Sequence, residues 1–270
     1  MPRHGFSWIA LLPLLTASAG CVGTTGGDLF TFSAFAAGPE DAEAAPGGTY
    51  SFTSGRGYSV SLTRARLHIG AVYLNKSVPS SVANNTSCAL AGIYTAEVTT
   101  GLFVDVLSST PQPFPQPGFA TSERAPTGEL WLNGGDVNDA ADPTVILDIE
   151  GEAEKYGVAY PFSGQVTIST NRASTVDDVA QPGAHPICKE RIVTPIRTDV
   201  QPTSGGALLV RVDPRGWFGN VDFSALEKVS DSPLRYEFAD SSENQPSKNL
   251  YIGLRSSGEA YSFHWQDEPH

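Results

Sequence analysis

Residues 144–169 read TVILDIEGEAEKYGVAYPFSGQVTIS. Two apolar-rich runs, Thr144–Ala153 and Tyr160–Ser169, flank the turn Glu154-Lys-Tyr-Gly157. Runs of this length joined by a short glycine-containing turn spell a β-hairpin. In the first run Asp148, Glu150, Glu152 and Glu154 alternate with Ile149, Gly151 and Ala153. A strand has a period of two, so the four carboxylates share one face. Four neighbouring carboxylates repel one another and want water. The hairpin therefore belongs on the outside of a sheet whose other face is covered.

The same pattern continues in both directions. Upstream, Phe30, Phe32 and Ala34 alternate, as do the residues of Tyr58–Leu62. The run that opens at Arg64 turns apolar on both faces from Leu67 to Leu74, which marks a central strand. Ile93–Val106 is strand-like with a break at Gly101, and Glu129–Leu132 is a short strand. Gln112-Pro-Phe-Pro-Gln-Pro-Gly118 holds too much proline for a sheet interior. Downstream, Arg191–Ile196, Ala207–Val212, Leu250–Leu254 and Ala260–Trp265 add strands. Only Phe223–Val229, introduced by Asp222, reads as a helix, about two turns long. With 27 glycines, 20 prolines and no fixed-period repeat, the expectation is an all-β fold. It is a single antiparallel β-sandwich over residues 28–270, with long loops and one short helix.

The first 20 residues stand apart. A cationic start, an apolar run of about 11 residues and a small-residue zone follow in secretory order. That run is too short to cross a bilayer, which takes about 20 residues. Ser18-Ala19-Gly20-Cys21 resembles the bacterial lipobox, with Ser18 where Leu, Val or Ile is usual. Residues 1–20 are thus expected to be a signal peptide, Cys21 a lipidated N-terminus and residues 21–27 a tether. Val22, rather than Asp, follows the cysteine, which by the rule for enteric bacteria directs the protein to the outer membrane. The expected location is the bacterial envelope, with lipid as the link to the membrane.

The chain has three cysteines, an odd number for an exported protein. Assigning Cys21 to lipid leaves Cys88 and Cys188 to pair in an oxidising compartment. A bridge closing a loop of about 100 residues contributes on the order of 4.7 kcal/mol in the chain-entropy model. The net charge of −12 becomes −13 once Arg3 leaves with the signal. So acidic a body argues against nucleic acid as a partner. It leaves any protein or small-molecule partner unidentified.

Catalytic signatures are missing from the sequence. There is no Gly-x-Ser-x-Gly elbow, no phosphate loop and no dinucleotide fingerprint. His185 lies near Cys188, but a catalytic pair needs a free thiol. Asp136, Asn138, Asp139 and Asp142 collect oxygen donors in a loop, a candidate for calcium. Ala140, Ala141 and Leu147 stand where an EF-hand needs a ligand, a glycine and a glutamate. The other reading of the loop is a turn held by its own side chains. His68 in an apolar strand and His264 between Phe263 and Trp265 are candidate metal ligands, because a buried imidazole wants a partner.

Several stretches, in order, resemble the MbnP-type bacterial copper-binding β-sandwich family. They are Phe30–Gly38 leading to Gly57-Tyr58, Leu67–Leu74, Leu147–Ala153 with Gly157 and Pro161-Phe162, and Leu208–Asp213 running into Asp222–Leu226. Together they span most of the chain after the signal. The resemblance implies copper held by histidines and a modified tryptophan. The strand after Pro161-Phe162 runs Ser-Gly-Gln-Val, without the histidine the family would carry there. Only His68 is therefore carried over. Three functions follow in order: a non-catalytic lipid-anchored envelope protein with a binding or structural surface, a copper-binding protein using His68 and His264, and a hydrolase using carboxylates between Asp136 and Glu154.

Overall fold

A computed structural model describes residues 28–45, 47–77, 93–173, 185–258 and 260–267. The signal segment, Cys21, the tether and Cys88 lie outside the described residues. Among those described, the chain forms sixteen strands and two short α-helices. The first strands are β1 (Phe30–Ala37), β2 (Tyr50–Thr53), β3 (Ser59–Ile69) and β4 (Ala71–Asn75). Then come β5 (Tyr94–Val98), β6 (Leu102–Asp105), β7 (Gln112–Pro113), β8 (Gly118–Ala120) and β9 (Ala125–Trp131). The hairpin is β10 (Val145–Lys155) and β11 (Val158–Thr167). Helix α1 (Ile187–Arg191) precedes β12 (Ile192–Val200) and β13 (Ala207–Val212). The chain closes with β14 (Glu227–Asp231), β15 (Leu234–Phe238), α2 (Gln245–Leu254) and β16 (Tyr261–Gln266).

Two sheets result. The first runs β12-β9-β4-β5-β8-β1-β13-β16, with β7 on β1. The second runs β14-β15-β11-β10-β3-β2, with β6 on β3. The edge strands of the first sheet approach each other, since Thr198 Oγ1 donates to the Phe263 carbonyl at 3.4 Å. That sheet curls almost into a barrel. Its β1–β13 pair and the β11–β15 pair of the second sheet are parallel, whereas the expected sandwich was antiparallel throughout. Both join strands far apart in sequence, where no tight turn dictates direction.

The hairpin turns at Lys155–Val158, with Tyr156 at φ 55° and Gly157 at φ 75°. Positive φ at both central residues matches the twist of a two-residue hairpin loop. Gly70 divides the long apolar run: β3 lies in the second sheet and β4 in the first. A Cβ on Gly70 would lie 2.3 Å from the Asn133 carbonyl oxygen, so the corner requires glycine. The break near Gly101 has the same effect, sending β5 and β6 to different sheets.

Two helix readings are corrected. Asp222 does cap, accepting from Ser224 N at 3.2 Å, but only a 3-10 turn follows over Phe223–Ala225. Leu226 is already extended and leads into β14. Conversely, Leu250–Leu254, expected as a strand, is the second half of α2. Asn244 caps that helix through Ser247 N at 2.9 Å, and Pro246 sits in its first turn. The core between the second sheet and these turns is aromatic, with Phe162, Phe218, Phe223 and Phe238 packed ring against ring.

Candidate functional site

A cleft of about 580 Å³ opens where β13 and β16 meet the segment that follows β1. Strand pairing assembles it. Arg211 on β13 stands opposite Ser262 on the edge strand β16, and His264 is two residues further along the same face. The Ser262 hydroxyl and His264 Nε2 are 2.9 Å apart. Arg211 Nη1 donates to the carbonyls of Gly38 at 3.0 Å and Ser109 at 2.9 Å, while its buried Nε has no partner.

The opposite wall is acidic and braced. Arg215 grips Asp213, with Nη2 to Oδ2 at 2.6 Å, and reaches Asp41 at 3.2 Å. Asp41 in turn accepts from the Tyr50 hydroxyl at 3.0 Å. Burial, helped by that bond to Asp41, lifts the Tyr50 phenol well above its usual range. The hydrogen bonds from Arg215 to Asp213 hold the guanidinium charged at any accessible pH. This wall is a fixed scaffold. Ser262 and His264 are the groups left to meet a ligand, beside the guanidinium charge of Arg211.

No protein-family model, curated protein or solved structure matches the chain. The site must be read from its own chemistry.

The structure does not join the two histidines. His264 is exposed in the first sheet, whereas His68 is buried on β3 of the second. The His68 ring lies 4.2 Å from that of its cross-strand neighbour Phe103, and its Nδ1 has no partner. Among the described residues, no three His, Cys, Asp or Glu side chains are placed to hold a metal ion. The expected shared copper set is therefore not assembled from them.

Burial pushes the His68 imidazole below its ordinary value, opposed by the Asn133 carbonyl and by Asp142. A base with a depressed folded pKa contributes its full share of stability above about pH 6.5. That share is lost as pH falls toward the folded value. We expect the denaturant midpoint to drop between pH 7.5 and pH 5, and His68→Leu to flatten that slope. The loss amounts to about 1.4 kcal/mol for each unit of displacement. An unchanged slope in the variant would place the acid-sensitive group elsewhere.

Of the two readings of the acidic loop, its hydrogen bonds follow the turn held by its own side chains. Asp136 Oδ1 accepts from Asn138 N, Asp139 Oδ1 from Ala141 N and Asp142 Oδ1 from Thr144 N, at 2.9, 2.9 and 3.0 Å. Each carboxylate folds onto the backbone two residues ahead, a run of local turns. The loop also encloses the fully buried Arg191, whose guanidinium donates to the Asp136 and Val137 carbonyls. Its acidity balances that charge.

The carboxylate row of β10 lies on the outer face of the second sheet as expected. Arg64 bridges Asp148 at 3.0 Å and Glu150 at 2.5 Å, and Glu152 and Glu154 are exposed. Cys188 is buried with Val137 and Ile192 against Trp131. Sequence reasoning named His264 but missed Ser262, Arg211, Asp41 and Arg215. The Ser-x-His spacing in a strand did signal that Ser262 and His264 share a face. The approach of Asp41 to Arg215, across more than 170 positions, left no such trace.

Proposed function

We propose that the protein is a non-catalytic, lipid-anchored component of a bacterial envelope, attached at the outer membrane through Cys21. Its β-sandwich binds a small hydroxylated carboxylate in the cleft between β13 and β16. The observation that carries this reading is the cleft of about 580 Å³, in which Arg211, Ser262 and His264 converge. That size suits a small organic ligand, and a few placed polar groups in a concave site set its orientation. The guanidinium charge of Arg211 suits a carboxylate, and the Ser262–His264 pair suits hydroxyls. A hydrolytic reading has less support, because among the described residues His264 bonds only to Ser262 and no third group orients it. The proposed Cys88–Cys188 bridge fits the buried place of Cys188.

Calorimetric titration with D-glucuronate, using acetate and glucose as controls, tests the cleft. Glucuronate is expected to bind at least tenfold more tightly than either control. The double variant Ser262→Ala, His264→Ala should lose at least tenfold while keeping the thermal midpoint. Equal binding by all three compounds, or by the double variant, would refute the assignment. The intact mass of protein from its native host tests the anchor: acyl chains on Cys21 are expected, and a bare cysteine would refute it.

A further inference from the structure

The first sheet carries a buried carboxylate that has no counter-charge. Cross-strand pairing places Glu129 on β9 opposite Tyr73 on β4, and Tyr73 opposite Glu97 on β5. Trp131 and Asn75 lie one step to either side on the same face. The alternate residues Val72, Leu74 and Leu130 fill the core, so this row faces outward. An outward Glu would ordinarily be wet, yet Glu129 and Asn75 are both 0% exposed. The two Glu129 oxygens accept from Asn75 Nδ2 at 3.0 Å and Trp131 Nε1 at 3.2 Å. Both donors are neutral, and among the described residues no Lys or Arg forms an ion pair with Glu129. Asn75 Oδ1 is buried with no donor at all.

The surroundings are aromatic. The Tyr73 ring lies between those of Tyr94 at 4.7 Å and Trp131 at 4.8 Å. Tyr94 is 38% exposed and Tyr73 and Trp131 are half-buried, so the rings form the outer rim. A desolvated carboxylate, an unused amide oxygen and ring faces all attract positive charge. Burial pushes the Glu129 carboxyl up, against the pull of its bonds from Trp131 and Asn75, so a nearby positive charge is what would hold it ionised. A divalent metal would need more oxygens than one carboxylate and one amide provide.

We propose that Glu129, Asn75 and the rings of Tyr73, Trp131 and Tyr94 form a binding site for a primary ammonium group. Because Glu129 and Asn75 are fully buried, the rings must part to admit the group. The cation then neutralises the Glu129 carboxylate, one N–H donates to Asn75 Oδ1, and the ring faces hold the attached alkyl chain. This site is separate from the β13–β16 cleft and does not depend on it.

Glu129→Gln tests the assignment without loss of fold. With its carbonyl oxygen on Trp131 Nε1, the substituted side chain puts its amide nitrogen where Oε1 accepted from Asn75 Nδ2, so the Asn75 amide turns over to present Oδ1 as acceptor. The variant should therefore unfold at the same temperature or higher. Calorimetric titration with n-butylammonium chloride should show saturable binding to the wild-type chain. Binding to the Glu129→Gln variant should be at least tenfold weaker. Tetramethylammonium, which has the charge but no N–H donor, and sodium chloride should also bind at least tenfold more weakly to the wild type. Absence of wild-type binding, equal binding by the variant, or equal binding of tetramethylammonium would each overturn the proposal.

Discussion

Arg191→Met is expected to destabilise the protein by about 3–5 kcal/mol, the cost of removing one member of a buried charged network. The guanidinium is fully buried at the end of α1. Its Nε and Nη2 donate to the Ile168 carbonyl at 2.9 and 2.6 Å, and its Nη1 to Val137 O at 2.9 Å and Asp136 O at 3.2 Å. One side chain thus ties the end of the β10–β11 hairpin to the acidic loop before it. Methionine fills similar length but donates nothing, leaving three carbonyls unpaired at about 1–3 kcal/mol for each that stays buried. Lysine restores charge but not the fork, so Arg191→Lys should recover only part of the loss.

A second consequence appears in acid. Burial raises Asp142, but bonds from Thr144 and Gly134 and the charge of Arg191 outweigh it and hold the carboxyl below its usual value. An acid with a depressed folded pKa stabilises above its unfolded value of about 3.9 and loses that contribution as pH falls. The methionine variant forfeits the Arg191 part of that contribution, so its deficit against the wild type should narrow as pH falls. Urea titrations at pH 7 and pH 4 measure both effects. A loss under about 1 kcal/mol at pH 7 would show that the loop stands without the arginine.

The hairpin at residues 144–169 was legible because three local signals agree there: strand-length runs, alternating carboxylates and a glycine turn. The sandwich was legible for the same reason, repeated along the chain. What the sequence hid were decisions made at a distance. Leu67–Leu74 and Ile93–Val106 each read as strand, the second with a break at Gly101, and each holds two strands or parts of strands. Their division between two sheets at Gly70 and near Gly101 depends on neighbours such as Asn133, whose side chain occupies the space a Cβ at Gly70 would need. Leu250–Leu254 shows the limit of short apolar runs, which periodicity alone cannot assign to strand or helix. The cap at Asn244 and the proline two residues later were the better guide.

The sites divide in the same way. His264 stood out as an aromatic-flanked histidine, and Ser262 follows from period two. Arg211 enters the cleft only because β13 pairs with β16. The acidic loop offered oxygen donors in plain view, but its partner, Arg191, lies about 50 positions away. Glu129 was read simply as part of a strand, since nothing in Glu-Leu-Trp-Leu announces a buried charge. The parallel pairing of β1 with β13 likewise joins segments that no single turn relates.

Phe223→Ala should be nearly as costly as losing Arg191, at about 3–5 kcal/mol. Two effects compete to explain why residues 222–226 take their conformation: the Asp222 cap and the burial of Phe223. The cap is well made, since Asp222 Oδ1 accepts from Ser224 Oγ at 2.6 Å and from the Tyr58 hydroxyl at 2.6 Å. Losing an N-cap costs typically about 1 kcal/mol. Phe223 is fully buried, with ring centroids of Tyr58 and Phe162 at 5.1 Å, Phe218 at 5.8 Å and Phe238 at 6.0 Å. Truncation would open a cavity among four rings that the β10–β11 hairpin, β15 and the neighbouring turn hold in place. Packing should therefore outweigh the cap by about threefold, which explains why a helix start yields to a single turn that delivers Phe223 to the core. Urea unfolding of Phe223→Ala and Asp222→Ala decides the matter. Equal losses from the two variants would mean that the cap, not the aromatic core, shapes this segment.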